Sequence, residues 1–264
     1  MKTIILCGGT GTRMKEETEF KPKPLVTVGG QPILWHIMKI YAHYGYNDFI
    51  LALGYKGSMI KEYFLNRKNL SSDFTVNTKT NEITYHNNNC DEFKITLVET
   101  GLDSLTGERV RRCKKYLDDA DSHFMVTYGD GVGDVNIKEL IDFHIKQNTI
   151  GTITGVRPSN RFGFLNIDSV TKKAKDYFQH KVTSHEASEQ AKDHINGGFM
   201  VFKKEVVDLI PENSMIESVF QPLTEKGEIS VYTHQGKWKC MDTHKEVEEL
   251  NEQWAKDPFW KVWE

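Results

Sequence analysis

The chain has 264 residues, 38% hydrophobic and 27% charged, a length that suffices for one large α/β domain or for a domain with a subdomain. Its 34 Lys and Arg residues nearly balance its 37 Asp and Glu residues, which indicates no general polyanion-binding surface and argues against nucleic acid as the main ligand. No apolar run is long enough to cross a bilayer, and the first residues lack the apolar core of a signal peptide. We therefore expect a soluble, cytoplasmic protein with no membrane partner.

The first predicted strand opens into a glycine-rich loop. A short apolar run at residues 4–7 fits a buried strand, and it is followed by glycines, a threonine, an arginine and then a pair of lysines. Glycine lets backbone N–H groups approach an anion closely, while Arg and Lys supply charge and donors. The loop has neither the ending of a Walker loop nor the G-x-G-x-x-G spacing. We interpret it as a polyphosphate-binding loop, with a tight turn and an exposed basic tail as the alternative. The residues concerned are Gly8, Gly9, Gly11, Thr12, Arg13 and Lys23.

Helices and strands then alternate, which predicts a parallel sheet with crossover helices. Apolar residues at helical spacing end at Gly45, and short apolar runs of strand length follow. A polar section at residues 66–90 predicts an exposed hairpin or excursion. The predicted elements are a helix from residue 32 to 44, a strand at 48–53, a short helix at 58–64, a strand at 94–98, a helix at 106–116 and a strand at 124–128.

Two isolated aspartates stand at the ends of predicted strands. Ligands of open parallel sheets collect beyond the carboxyl ends of the strands, so Asp130 is expected on the same rim as the glycine loop. Asp242 follows a later strand. Mg²⁺ binds one or two carboxylates together with phosphate oxygens and water, so this pair predicts a magnesium site. For each aspartate, capping of a turn is the alternative.

The section from residue 151 to 233 predicts a second, more antiparallel region that closes over the rim of the sheet. Asn196 and Gly197 precede an apolar strand and suit a hydroxyl-rich ligand, although an ordinary turn fits equally well. Lys181 lies in a polar loop and is a candidate for the phosphate of a second substrate, with a solvated lysine as the default. The predicted strands are 152–156, 163–167, 175–178, 199–202 and 229–233, and the predicted helices are 204–209, 215–225 and one that begins near residue 243.

The glycine loop and its lysines resemble the signature of the sugar-1-phosphate nucleotidylyltransferases. Within that family the chain is most similar to the glucose-1-phosphate cytidylyltransferases, which make CDP-glucose for bacterial surface sugars. The similarity extends over nearly the whole chain. It is carried by segments 8–13, 16–18, 21–24, 32–39, 54–57, 128–132, 161–163, 195–199, 241–243 and 260–263.

This resemblance implies an α/β, Rossmann-like nucleotidyltransferase fold, with a mostly parallel central sheet, helices on both faces and a smaller β-rich acceptor-binding region. In one domain spanning 1–264, residues 1–150 would mainly bind the nucleotide and residues 151–242 the acceptor, followed by a C-terminal helix and tail at 243–264. It also implies CTP as a substrate, Mg²⁺ as the cofactor, a homo-oligomer, and a role in the biosynthesis of nucleotide sugars and surface polysaccharide.

The resemblance also implies roles for individual residues. Arg13, Lys23 and Asp130 would be catalytic, and Mg²⁺ would lie between Asp130 and Asp242. A phosphate oxygen of the acceptor would attack CTP in line and expel pyrophosphate, without a covalent enzyme intermediate. The implied nucleotide-binding residues are Gly8, Gly9, Gly11, Thr12, Arg13, Lys23 and Gly101, and the implied acceptor-binding residues are His180, Lys181, Asn196 and Gly197.

The sequence departs from the family pattern mainly in the acceptor half. His180-Lys181-Val182 stands where the family usually has Glu-Lys-Pro, and Gln221 stands where an acid is more common. A glutamate accepts hydrogen bonds from two sugar hydroxyls, whereas a neutral imidazole accepts only one. Two identities of the acceptor therefore remain, a sugar 1-phosphate and another small phosphorylated molecule such as a polyol phosphate. A catalytically silent, nucleotide-binding regulatory subunit is a further alternative.

Overall fold

The computed structural model describes residues 1–87, 91–118, 120–157, 164–167, 174–178 and 194–264. The strands in these ranges are β1 Thr3–Cys7, β2 Thr27–Val28, β3 Gln31–Pro32, β4 Asp48–Leu53, β5 Phe74–Asn77, β6 Glu82–Tyr85, β7 Lys94–Glu99, β8 His123–Tyr128, β9 Gly131–Gly133, β10 Gly151–Val156, β11 Phe164–Ile167, β12 Ala174–Phe178, β13 Ile195–Lys203, β14 Ile229–Thr233 and β15 Trp238–Cys240. The α-helices are α1 Lys15–Thr18, α2 Ile33–His43, α3 Gly57–Ser71, α4 Thr106–Cys113, α5 Ile137–Gln147, α6 Val206–Leu209, α7 Phe220–Glu225 and α8 His244–Lys256. Short 3₁₀ helices cover Thr12–Met14, Lys23–Leu25, Lys114–Tyr116 and Ile216–Val219.

A seven-stranded sheet in the order β14-β10-β13-β8-β1-β4-β7 forms the centre of the molecule. β13 runs antiparallel to β10 and β8, whereas the other neighbouring strands run parallel. Strand pairs β5–β6, β11–β12, β9–β15 and β2–β3 lie outside this sheet. The sheet confirms the prediction of an α/β fold with a mostly parallel centre.

Both faces of the sheet are buried, which explains why its central strands read as continuous apolar runs. Side chains alternate between faces along a strand, so Ile5 packs in one buried cluster and Ile4 in the other. Helices α2, α5 and α8 contribute to the cluster that contains Ile5, and helices α4, α6 and α7 to the cluster that contains Ile4. Helices therefore cover both faces, as expected.

Several elements differ from the predicted bounds, and α3 and β13 differ most. Helix α3 runs from Gly57 to Ser71, well into the polar section where an excursion was expected. Its second half is partly or fully exposed and carries no apolar stripe, so hydrophobic periodicity did not predict it. Strand β13 begins at Ile195 rather than at the apolar run, since the backbone at Asn196 pairs with Gly155 of β10. The hairpin of β5 and β6 lies within the predicted excursion.

The sequence predicted a second, more antiparallel region over the rim of the sheet, whereas strands β10, β13 and β14 extend the central sheet itself. Strands β11 and β12 do pair with each other outside the sheet. The antiparallel character of the later section comes from β13 and from this pair. Among the described residues, no helix is both long and apolar enough to span a membrane.

Candidate active site

The glycine-rich loop leaves the sheet where β1 ends, between the carboxyl ends of β4 and β8. Gly11 has a φ of +64°, a left-handed conformation that favours glycine. Its carbonyl accepts hydrogen bonds from the backbone N–H of Met14 at 2.9 Å and from Oγ1 of Thr18 at 3.1 Å. These bonds hold the turn from which Arg13 projects.

The buried side chain of Arg109 holds the glycine loop through a hydrogen bond to its backbone. Nη2 of Arg109 donates to the carbonyl of Gly8 at 3.0 Å, while Nη1 donates to Leu53 at 3.0 Å and to Gly101 at 2.8 Å. The Arg109 side chain is almost fully buried, and burial lowers its pKa. Its acceptors are carbonyl and hydroxyl oxygens rather than a carboxylate. Arg109 thus joins the glycine loop, the end of β4 and the loop that contains Gly101.

The two predicted metal ligands meet because β9 and β15 pair antiparallel. β9 begins directly after Asp130, and β15 ends two residues before Asp242, with Cys240 opposite Gly131. The backbone N–H of Met241 donates to the carbonyl of Asp130 at 2.8 Å. This register places the two aspartates side by side although they lie far apart in the sequence.

Helix α8 fixes the backbone at Asp242. Thr243 caps the helix, and its side chain and that of Glu246 form a capping box. Oε2 of Glu246 also accepts from the backbone N–H of Asp242 at 2.8 Å. The aspartate is therefore held at the junction of a strand and a capped helix.

Lys23 and Arg13 both contact the aspartate pair. Nζ of Lys23 lies 2.6 Å from Asp130 and 2.7 Å from Asp242, and Nη1 of Arg13 lies 3.0 Å from the second oxygen of Asp242. Burial alone would lower the pKa of Lys23, but the two carboxylates outweigh it and raise that pKa above its ordinary value. Burial acts to raise the pKa of Asp242, whereas Lys23 and Arg13 lower it below its ordinary value.

A cavity of about 340 Å³ lies between the loop and the aspartates. Most of the predicted nucleotide and metal residues line it, whereas Gly101 does not and instead accepts a hydrogen bond from Arg109. The predicted residues in its wall are Gly8, Gly9, Gly11, Thr12, Arg13, Lys23, Asp130 and Asp242. The cavity is also lined by polar residues that were not predicted as site residues, namely Ser104, Thr106, Arg109 and Tyr128.

Asn196 lies beside the end of β8, on the side of the site predicted to bind the acceptor. Nδ2 of Asn196 donates to the Tyr128 hydroxyl at 3.2 Å. The carbonyl of Gly197 accepts from Nε1 of Trp238 at 2.8 Å. His180 and Lys181, the other predicted acceptor residues, lie outside the described residues.

The aspartate pair fits a divalent cation. One ammonium contacts both carboxylates, so they lie close enough to share a single cation. In the described ranges, no group of three or more His, Cys, Asp or Glu residues could hold a metal. A site with only two protein carboxylates suits Mg²⁺, which takes its remaining ligands from substrate phosphates and water.

Comparison with known proteins agrees with this geometry. A family model described as nucleotidyl transferase matches residues 2–257. The chain belongs to the nucleotidyl transferase family and is an enzyme of the nucleotidyltransferase class.

More particularly, the chain is 42% identical to the glucose-1-phosphate cytidylyltransferases of Salmonella typhi and Salmonella typhimurium strain LT2, with 100% of each chain covered. These relatives confirm the resemblance inferred from the sequence. The crystal structure of HddC from Yersinia pseudotuberculosis complexed with GMP-PN covers 96% of this chain and 99% of its own, with a TM-score of 0.66 and 20% identity. At that identity the structural match shows the shared fold.

Proposed function

We propose that the protein is an Mg²⁺-dependent cytidylyltransferase that joins CTP and a sugar 1-phosphate to give a CDP-sugar and pyrophosphate. The observation that carries this proposal is the contact of Lys23 with both Asp130 and Asp242 beside the glycine loop. Such an arrangement brings together a cation, a carboxylate pair and open backbone, which are the groups that phosphoryl chemistry requires.

The reaction needs positioning and charge neutralisation rather than a protein nucleophile. A phosphate oxygen of the acceptor forms a bond to the α-phosphorus of CTP. The bond from that phosphorus to the oxygen bridging to the β-phosphate breaks, and pyrophosphate leaves with the electron pair. The glycine loop binds the triphosphate through its backbone N–H groups, and Arg13 and Lys23 offset the negative charge that develops.

Family members typically use a divalent metal, and Asp130 and Asp242 would hold Mg²⁺ in this chain. The ion, when bound, neutralises phosphate charge and polarises the phosphoryl group. Lys23 and Arg13 already neutralise the same carboxylates in this structure. Together they lower the pKa of Asp242, which favours the charged carboxylate that a cation binds.

CTP and the sugar 1-phosphate are proposed from the relatives, which are identical to this chain at 42% of positions over their full length. We assign the nucleotide mainly to residues 1–150 and the acceptor mainly to residues 151–242. Asn196, Gly197, His180 and Lys181 would bind the acceptor. We also propose Mg²⁺ as the physiological metal and a homo-oligomer as the assembly.

The direct test is pyrophosphate release by the full chain with CTP, UTP, GTP or dTTP. Each nucleotide is paired with glucose 1-phosphate, mannose 1-phosphate or a polyol phosphate, with Mg²⁺ or with EDTA. We expect turnover with CTP and a sugar 1-phosphate, and its loss in EDTA.

Each of the other outcomes contradicts a different part of the proposal. Faster turnover with another nucleotide would show that CTP is not the preferred nucleotide substrate. Faster turnover with the polyol phosphate would show that the acceptor is not a sugar 1-phosphate. Nucleotide binding without turnover for every acceptor would indicate a catalytically silent regulatory subunit. Full turnover in EDTA would remove the metal from the reaction.

A further inference from the structure

The turn between β4 and α3 contacts the glycine-rich loop at its start and the chain just after its turn. At the start, the backbone N–H of Tyr55 donates to the carbonyl of Gly8 at 3.1 Å. Further along, the carbonyl of Thr18 accepts from the Tyr55 hydroxyl at 3.2 Å and from Nζ of Lys56 at 3.3 Å. Nζ of Lys56 also donates to the carbonyl of Glu19. Two consecutive residues therefore hold both ends of the segment 8–19.

Thr18 connects these contacts to the turn from which Arg13 projects. The Thr18 side chain is almost fully buried, and its Oγ1 bonds to the carbonyls of Gly11 at 3.1 Å and Met14 at 2.9 Å. Its methyl group packs against Gly11, where an added Cβ would lie 2.6 Å from Cγ2. Arg13 lies between these two carbonyls in the chain and lines the cavity, although its side chain is 75% exposed. Because an exposed side chain of this length has many rotamers, its direction depends on how firmly its backbone is held.

Lys56 has an unusual backbone conformation for its residue type. Its φ is +50° and its ψ is +34°, in the left-handed region that favours glycine and tolerates asparagine. In the described part of the chain, the other non-glycine residues with positive φ are all asparagines. The side chain of Lys56 does not cap α3, so capping does not explain the lysine. Such outliers persist where the surrounding contacts require them, often at functional sites.

The ammonium of Lys56 holds backbone rather than a carboxylate. Across the described ranges, it takes part in no ion pair, and its hydrogen-bond acceptors are the two carbonyls of Thr18 and Glu19. Thr18 is the last residue of α1, and the last carbonyls of a helix have no partner within it. Nζ of Lys56 also lies 5.2 Å from the centroid of the Tyr55 ring, a cation–π distance. The two side chains therefore form one unit that satisfies the end of α1.

We propose that Tyr55 and Lys56 are positioning residues for nucleotidyl transfer. Acting through Thr18, they hold the backbone that directs Arg13 into the site, where it reaches Asp242 at 3.0 Å. The inference rests on the proposed function, in which Arg13 offsets the negative charge that develops on the reacting phosphate. A displacement of about 1 Å in such a group can cost a large part of the rate. Neither positioning residue lines the cavity, so we expect neither to touch the substrate.

The test compares steady-state pyrophosphate release by Lys56→Met, Lys56→Arg, Lys56→Gly and Tyr55→Phe with that of the wild type. In Lys56→Met we expect kcat to fall about tenfold, the scale of one lost hydrogen bond from a charged group, while KM for CTP changes less than about twofold. Lys56→Arg keeps a charged donor and should recover most of the rate. Tyr55→Phe loses one neutral hydrogen bond and should lower kcat about threefold.

Lys56→Gly separates the side chain from the backbone conformation. Glycine adopts the left-handed conformation without strain but lacks the ammonium. A role confined to the shape of the turn predicts full activity for this variant, whereas the proposed role predicts the same loss of kcat as in Lys56→Met. Full activity of Lys56→Gly would therefore overturn the proposal.

A double variant tests whether Lys56 acts through Arg13. If it does, Arg13→Ala combined with Lys56→Met should lose no more activity than Arg13→Ala alone. Losses that multiply would overturn this route. Lys61→Met is the matched control, because Lys61 is a nearby lysine of α3 whose ammonium pairs with Glu99 instead. Its kcat should equal that of the wild type.

Amide hydrogen exchange tests the anchoring without turnover. Residues 12–19 should exchange about tenfold faster in Lys56→Met than in the wild type, because a charged hydrogen bond that opposes local opening is lost, and at the wild-type rate in Lys61→Met. Unchanged exchange would overturn the anchoring even if the enzyme were active. If the wild type released no pyrophosphate with any nucleotide and acceptor, the proposed function would fail and the catalytic role of these residues with it, whereas faster exchange would still show the anchoring.

Discussion

Nζ of Lys23 lies 2.7 Å from Oδ1 of Asp242, although 219 positions separate the two residues in the sequence. The same nitrogen contacts Asp130 at 2.6 Å. Two neighbouring carboxylates repel each other unless a cation lies between them. The lysine therefore stabilises, in this structure, the carboxylate pair that we propose to bind Mg²⁺.

Replacement of Lys23 by Met should damage both activity and stability. Turnover should fall by about 10²–10³-fold, the usual effect of removing one group that stabilises a transition-state charge. In EDTA the free energy of unfolding should fall by roughly 1–3 kcal/mol, because the carboxylates lose their shared partner. Mg²⁺ should raise the Tm of the variant more than that of the wild type, as thermal unfolding with and without the metal would show.

Lys245→Met provides the control for this experiment. Lys245 is a highly exposed lysine of α8 whose ammonium lies 3.8 Å from Glu249, so its removal should change Tm little. Equal stabilisation of the Lys23 variant and the wild type by Mg²⁺ would contradict a shared cation site.

Asp242→Asn should abolish turnover and leave the fold nearly unchanged. The amide oxygen can still accept a hydrogen bond from Lys23, but a neutral amide is a poor ligand for Mg²⁺ compared with a carboxylate. Pyrophosphate release and urea unfolding separate the two effects, with Asp257→Asn as an exposed control. Full activity of the Asp242→Asn variant would show that Asp242 is not a ligand of the metal.

Gly8→Ala and Gly9→Ala should differ sharply in stability although the residues are adjacent. A Cβ on Gly8 would lie 2.1 Å from Nη1 of Arg109, whereas a Cβ on Gly9 would have no atom within 4 Å. Arg109 is buried and anchored by several hydrogen bonds, so it cannot move aside cheaply. We expect Gly8→Ala to lose about 2–3 kcal/mol of unfolding free energy and Gly9→Ala less than about 0.5 kcal/mol. Similar values in urea titrations would show that Arg109 yields easily.

The sequence predicted the glycine loop of the site but did not predict Arg109. The loop could be recognised because its composition and its place after an apolar strand are local signals. Arg109 belongs to α4, where an arginine next to other charged residues reads as a solvated helix face. Its burial follows from the packing of α4 under the loop, and no local pattern encodes that contact.

The fold, too, was predicted where local patterns determine it and not where distant segments pair. The alternation of β1, α2 and β4 predicted a parallel sheet, because hydrophobic periodicity is local. The insertion of β13 between β10 and β8 depends on pairing between distant segments, which periodicity does not report. The hydrogen bond from the Tyr128 hydroxyl to Glu217 likewise spans 89 positions, so no local pattern predicts it.

Two buried histidines should make the protein sensitive to mild acid. In the fully buried His36, Nε2 donates to the carbonyl of Val28 at 2.8 Å, and Nδ1 accepts from Nε1 of Trp260 at 3.3 Å. Both nitrogens are satisfied in the neutral ring, and a second proton would oppose the indole N–H. Burial lowers the pKa of His36 to about 4 and likewise lowers the pKa of the fully buried His144 to about 4.

The free energy of unfolding should therefore rise with pH between about 4 and 6.5 and level off above. In that range the unfolded chain binds protons at both histidines, whereas the folded chain does not, because their pKa values lie at about 4 against an ordinary 6.5. Each histidine contributes up to about 3 kcal/mol to this rise in the free energy of unfolding. Urea titrations across this range should show a smaller slope for His144→Gln, whatever its absolute stability, and an unchanged slope for His43→Gln, in which the histidine is exposed. A flat wild-type profile would mean that both rings accept protons inside the folded protein.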